Sequence, residues 1–164
     1  MTKLRDTTLL FLIKKNNGQI TDVCLAMKKK GFGQGRFNGV GGKVEAGETI
    51  EQTVIRETQE EIGVTPKNII KVAEFYFCFP HNQDWNQTVH FYQTEDWDGE
   101  PTESDEMKPE WFKSDNLPFA KMWPDDFYWM PYFLRGEKIK GFFKFAEGDV
   151  ILEKEIKVVE GWGG

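Results

Sequence analysis

Gly42-Lys43-Val44-Glu45-Ala46-Gly47-Glu48, followed seven residues later by Arg56-Glu57-Thr58-Gln59-Glu60-Glu61-Ile62-Gly63-Val64, decides how the rest of the chain is read. Residues Thr49 to Ile62 favour a helix, which Gly63 stops and Pro66 bars from continuing. Within it Glu57, Glu60 and Glu61 fall at i, i+3 and i+4, so three carboxylates share one helical face. Like charges this close destabilise an isolated helix, and Arg56 relieves only part of the repulsion. A divalent cation would relieve it, because hard Mg²⁺ or Mn²⁺ prefers carboxylate oxygens and the phosphates of a substrate. A solvated acidic face explains one Glu pair. It does not explain two glycines, Glu48 and an Arg-Glu pair in register with it.

Outward from this stretch, 164 residues fit one domain, 1–164, with a sizeable core. Fourteen Phe, six Trp and four Tyr exceed what such a core needs and suggest a stacking pocket for a flat ligand. A net charge of −6 argues against a nucleic acid polymer, which requires a basic footprint, but not against a single nucleotide. Cys24 and Cys78 lie in apolar runs and read as small buried hydrophobes, so a reducing, cytoplasmic setting is expected. The apolar run Leu9 to Ile13 is too short for a signal segment or a membrane span. The expected partner is a small molecule, and the expected state a monomer.

Thr7 to Ile13 and Val23 to Met27 read as a hairpin around Asn16-Asn17-Gly18. The glycines between Lys28 and Gly39 mark a loop. Ile69 to Phe79 and Thr88 to Thr94 read as strands joined by a polar turn, Pro80 to Asn86. Trp123-Pro124-Asp125-Asp126 announces a second helix with a core face of Phe127, Met130, Phe133 and Leu134 and a kink at Pro131. Two strands, near Gly141 to Phe145 and Val150 to Val158, close the chain. The sum is an α+β fold.

The stretch 42–64 resembles the Nudix box, in which a Gly, a Glu, an Arg-Glu pair, a Glu-Glu pair and a final Gly recur at fixed spacing. Gly42, Glu48, Arg56, Glu57, Glu60, Glu61 and Gly63 match it, and Thr58 stands where an aliphatic residue is more usual. The resemblance implies a curved mixed sheet between helices and metal-dependent hydrolysis of a nucleoside diphosphate linked to another group. Three further segments resemble the MutT-type branch that sanitises oxidised purine nucleoside triphosphates in animals: Met27 to Gly42, Glu103 to Phe112, and Pro118 to Asp126 continuing to Phe145. They imply 8-oxo-dGTP, and 2-hydroxy-dATP with it, cut to the monophosphate and pyrophosphate. The alternative is a Nudix hydrolase for an unmodified dNTP, ADP-ribose or a dinucleoside polyphosphate. A sensor that had lost catalysis should also have lost box carboxylates, and here all are present.

For a purine, Trp123 would stack on the base, Phe32 close the opposite wall, and Phe77 and Phe79 form the floor. Asn38 offers a donor and an acceptor to a base edge. Asp125 and Asp126 are adjacent acids, one of which burial would keep protonated, so that the pair could read either purine; the bland alternative is a helix cap. Thr8 and Gln87 match further pocket positions of the branch, which more often has Met at the latter and Trp where this chain has Phe37. The resemblance gives His81 and His90 no role, and both read as structural or exposed. The metal ligands expected are Glu57, Glu60 and Glu61 with the Gly42 carbonyl, and Glu106 as an outlying carboxylate. Glu61 or Glu106 would be the base, and Arg56 would orient Glu57. Lys28, with Lys43 inside the box, would answer the phosphate charge.

Overall fold

The structure, a computed structural model, describes residues 5–162; residues 1–4 and 163–164 of the expected domain lie outside them. Its elements run β1 (Arg5–Asn16), β2 (Gln19–Lys28), β3 (Phe37–Asn38), α1 (Ile50–Ile62), β4 (Thr65–Lys67), β5 (Ile70–Cys78), β6 (Gln87–Thr94), β7 (Asp96–Asp98), β8 (Met107–Lys113), α2 (Asp126–Leu134), β9 (Lys138–Ala146) and β10 (Val150–Val159). The main sheet is ordered β10-β9-β5-β6-β1-β2, with β3 and β8 both paired to β2. Strands β1 and β6, and β5 and β9, pair in parallel; the remaining neighbours are antiparallel, which makes the sheet mixed.

The expected hairpin forms with Asn16 opposite Gln19. Asn17 and Gly18 have φ of 53° and 77°, the positive values that match a two-residue turn to strand twist. Helix α1 starts with a reciprocal capping box between Thr49 and Gln52 and ends at Gly63 in the left-handed region, φ 70°. Alternation along β1 then sends Phe11 and Ile13 into one apolar cluster and Leu10 and Leu12 into another. The first cluster holds Trp129, Met130 and Phe133 of α2, the second Val54 and Ile62 of α1. The sheet therefore lies between two helices, the expected α+β arrangement.

Several local expectations need correction. Phe127 is 60% exposed, and its place on the core face of α2 is taken by the fully buried Trp129. A bulge between Lys71 and Ala73 buries Val72 as well as Ala73 and breaks the simple alternation of β5. The short strands β3, β4, β7 and β8 carry little periodicity of their own; β4 contains Pro66 and β8 Pro109. His90 is buried, its Nε2 2.9 Å from Asp6 and its Nδ1 3.0 Å from Lys71 Nζ, a structural position. Among the described residues no helix is long and apolar enough to cross a membrane.

One feature of the sheet positions the site. Beyond Cys24, β2 leaves β1 and pairs with β3 through Ala26 and Met27. The chain after β3 returns along β1, where Leu10 and Val40 exchange backbone hydrogen bonds of 2.7 and 3.0 Å and Thr8 N–H donates to Gly42 O at 2.9 Å. At Gly41 the two backbones are so close that a Cβ would lie 1.7 Å from Thr8 O. Segment 38–43 is thereby locked to the sheet.

Candidate active site

A cavity of about 650 Å³ opens where segment 38–43, the glycine loop and the starts of α2 and β8 meet, a size that suits a small-molecule ligand. Helix α1 contributes Glu57 and Glu61 to its wall, and Glu106 stands beside them. Burial pushes the Glu61 carboxyl up to about 8, helped by the nearby charge of Glu57, while a Gly41 backbone hydrogen bond opposes the shift. Its Oε2 is buried without a hydrogen-bond partner. Glu57 lies against Gly42 so closely that a Cβ there would be 2.6 Å from the carboxylate carbon.

Arg56 stays outside the cavity lining and clamps the box together. Its Nε and Nη2 donate to Glu48 at 2.6 and 3.0 Å, and its Nη1 to Glu57 Oε1 at 2.8 Å. The guanidinium holds Glu48 down to about 2 and is itself held firmly protonated. Glu48 also accepts from the Thr53 hydroxyl at 2.8 Å, which ties the loop to the first turn of α1. Glu60 departs from the expected set of three: its side chain is 59% exposed and lies 3.2 Å from Arg56 Nη1. Among the described residues no three His, Cys, Asp or Glu side chains are gathered into a ready cation cage. Glu57, Glu61 and Glu106 are the glutamates that line the cavity.

The second group of acids in the lining comes from α2. Asp125 and Asp126 are buried, at 3% and 2% exposure, and Asp125, at the N-cap position of α2, makes no side-chain capping hydrogen bond. Both accept from Trp129 Nε1, at 3.0 and 3.1 Å, so one indole holds the two carboxyls side by side. Burial raises Asp125 to about 6, with the Trp129 hydrogen bond pulling the other way. Burial and the charge of Asp125 push Asp126 well above the carboxylate range, and its Oδ2 has no partner. Burial of both acids, and the charge of Asp125 on Asp126, favour the protonated form.

Aromatic rings complete the lining. Phe32 lies 5.0 Å from Trp123, tilted by 34°, and 42% exposed at the mouth. Phe77 and Phe79 stack on Phe145, and all three line the cavity. Asn38 lines it too, its Oδ1 accepting from Gly39 N–H at 2.8 Å, which leaves the amide nitrogen as its donor. Lys28 and Lys43 are present in the wall. Gln87 and Thr8 also line it, but each has a partner in the protein: Gln87 Oε1 accepts from Thr7 Oγ1 at 3.0 Å, and the Thr8 hydroxyl is 3.4 Å from Gly42 O.

The NUDIX domain family matches residues 3–133. The chain belongs to the Nudix family. Within that family it is 46% identical over 138 residues to the oxidized purine nucleoside triphosphate hydrolases of Danio rerio and Mus musculus, covering 84% of this chain and 88% of each relative. The crystal structure of the Mutator MutT protein from Bacillus halodurans superposes with a TM-score of 0.78 at 26% identity, covering 94% of this chain and 98% of that one. A Nudix hydrolase generally uses a divalent metal, and the donor set here fits one: hard carboxylate oxygens, an unpartnered buried Glu61 Oε2, and a glycine where any side chain would displace Glu57.

Beyond the Nudix box the cavity recruits residues that the sequence reading left out. Trp85, from the segment read as a polar turn, lies 5.0 Å from Phe32 and 5.6 Å from Phe79. Arg5 lines the wall and ties that turn down through Asp84 O at 2.7 Å. Arg36 lies over the Trp123 ring, 4.0 Å from its centroid. A lone Trp in a polar segment and a cation two residues before Asn38 were the available signals. Neither says what it will touch.

Proposed function

We propose that this chain hydrolyses oxidised purine nucleoside triphosphates, 8-oxo-dGTP and 2-hydroxy-dATP, to the monophosphate and pyrophosphate. One observation carries the reading. The buried side-chain atoms without a partner among the described residues are Glu61 Oε2, Asp126 Oδ2 and Arg36 Nη1, and all three residues line the same cavity. An unsatisfied buried polar atom costs about 1–3 kcal/mol, so three in one lining point to a polar ligand that satisfies them. The names of the relatives at 46% identity support the choice of ligand.

In this proposal Glu57, Glu61 and Glu106, with the Gly42 carbonyl, would hold Mg²⁺ or Mn²⁺, and Glu60, which like Glu57 accepts from Arg56, would add an outer carboxylate to them. The chemistry such an ion supplies when bound is charge neutralisation and Lewis acidity toward phosphate oxygens. Lys28 and Lys43 add positive charge for the phosphate chain. Glu61 or Glu106, both in the lining, serves as the base. Arg56 orients Glu57 by direct hydrogen bond. The base stacks on Trp123 under Phe32, with Phe77 and Phe79 beneath it and Thr8 and Gln87 in the wall. Asn38 and the Asp125–Asp126 pair read its edge.

One domain carries the whole activity, as a monomer in the cytoplasm; the free thiols of Cys24 and Cys78 suit that setting. A steady-state panel of 8-oxo-dGTP, 2-hydroxy-dATP, dGTP and ADP-ribose tests the proposal. The oxidised pair should lead in kcat/KM. A lead for dGTP or ADP-ribose would assign the chain to the alternative Nudix substrates instead.

A further inference from the structure

The three unpartnered atoms are not equally accounted for. Glu61 belongs to the acidic wall of α1 and Asp126 to the acid pair, but Arg36 is a member of neither and reaches the pair only through its charge, which favours the ionised form of Asp125. It sits at the end of the glycine loop, and Gly33 of that loop lies against Trp123, where a Cβ would be in ordinary contact with the indole at 3.4 Å. The Arg36 guanidinium is fixed by two contacts. Its carbon lies 4.0 Å from the Trp123 ring centroid, and its Nη2 pairs with Asp149 in the turn between β9 and β10. Asp149 is itself set there in the left-handed region, φ 61°. An Arg needed only to buttress Trp123 would be satisfied by stacking and by Asp149. This one keeps Nη1 buried and without an acceptor. A guanidinium donates only, so the missing partner must be an acceptor.

We propose that Arg36 is a further substrate-recognition residue, donating from Nη1 to an oxygen or ring-nitrogen acceptor on the nucleoside half of the bound nucleotide. The inference rests on the reading of the cavity as a purine nucleotide site. Its place beside Trp123, on a loop separate from the box, assigns it to the nucleoside and not to the phosphates. The arrangement also couples three distant segments (residues 31–36, Trp123 and the β9–β10 turn) through one side chain.

Binding of 8-oxo-dGMP and of 8-oxo-deoxyguanosine, followed by tryptophan fluorescence in EDTA, tests this on wild type, Arg36→Met and Arg36→Lys. Loss of a hydrogen bond from a charged donor weakens binding by about tenfold or more. Arg36→Met should therefore weaken both ligands by that factor, and Arg36→Lys should weaken them less. Unchanged affinity in a folded Arg36→Met protein would overturn the proposal, and so would a loss confined to the monophosphate. If Arg36→Met does not fold, Arg36→Lys decides: unchanged affinity for both ligands rejects the role. If the wild type binds neither ligand, the oxidised-purine reading fails separately. Arg36→Met is then compared on the nucleotide the wild type cleaves, where raised KM at constant kcat supports the role and unchanged KM rejects it.

Discussion

A Cβ on Gly42 would sit 2.6 Å from the carboxylate carbon of Glu57, so the first glycine of the box keeps open the space that the carboxylate fills. The glycine is required for what lies against it. Gly42→Ala is expected to push the Glu57 carboxylate aside and lower kcat by at least about tenfold, the scale of one displaced charge-stabilising group. Because the far end of a side chain can move, unfolding should shift by under about 4 °C, roughly 1 kcal/mol for a chain this size. Steady-state kinetics and thermal unfolding on the same preparation check both halves; full activity would detach Glu57 from the chemistry.

Within the helix triad the structure ranks the carboxylates. Glu61 is 5% exposed with a buried free oxygen, whereas Glu60 is turned outward against Arg56. Glu61→Gln should keep nucleotide affinity and lose about a hundredfold in turnover. Glu60→Gln should cost less than about tenfold, as expected of an exposed ion pair. Turnover of the two variants in saturating Mg²⁺ gives the order, and near-normal turnover of Glu61→Gln would remove it from the site.

Asn38→Ala separates recognition from cleavage. Its amide lines the cavity and is not one of the carboxylates assigned to the metal, so its loss should cost an oxidised substrate about 1–3 kcal/mol in kcat/KM. Undamaged dGTP should lose less. Equal losses for 8-oxo-dGTP and dGTP would show that Asn38 does not read the base.

The acid pair predicts a pH-dependent stability. Asp125 titrates at about 6 in the fold against 3.8 when unperturbed, and Asp126 is raised further by burial and by Asp125. A folded value above the unfolded one means that the stabilising proton is fully present below 3.8 and is lost as pH rises through 6. Asp126→Asn should therefore gain stability relative to wild type as pH rises from 4 to 8. The same variant, and Asp125→Asn with a different bias, should change the ratio of kcat/KM for 8-oxo-dGTP and 2-hydroxy-dATP, since an amide presents fixed donors and acceptors. Melting curves across that range, with substrate ratios beside them, are the measurements. Parallel curves and identical ratios in all three proteins would reduce the pair to packing.

Periodicity and turn chemistry made the helices and the long strands legible. The i, i+3, i+4 spacing of Glu57, Glu60 and Glu61 and the stop at Gly63 are local facts, and a hairpin at Asn17-Gly18 needs no distant partner. The short strands β3, β4, β7 and β8 were not legible, because two to seven residues with Pro66 or Pro109 among them show no period of their own: β3 and β8 form against β2, and β4 and β7 only against each other. Trp129 was passed over for Phe127 because hydrophobicity alone does not tell which of two large aromatics on a nine-residue helix faces the sheet.

The sequence by itself determined the box, its acidic helix face, the α+β order of elements and the residue types of a nucleotide site. Those follow from spacing along one chain. Tertiary structure alone decided that Glu60 turns to Arg56 while Glu61 is buried, and that the Asp125 and Asp126 carboxyls both turn to Trp129. It alone laid Arg36 on Trp123 with one nitrogen unspent. Each depends on which groups lose water and which find a partner, and residues far apart in the chain, such as Arg36 and Asp149, settle that only when the fold brings them together.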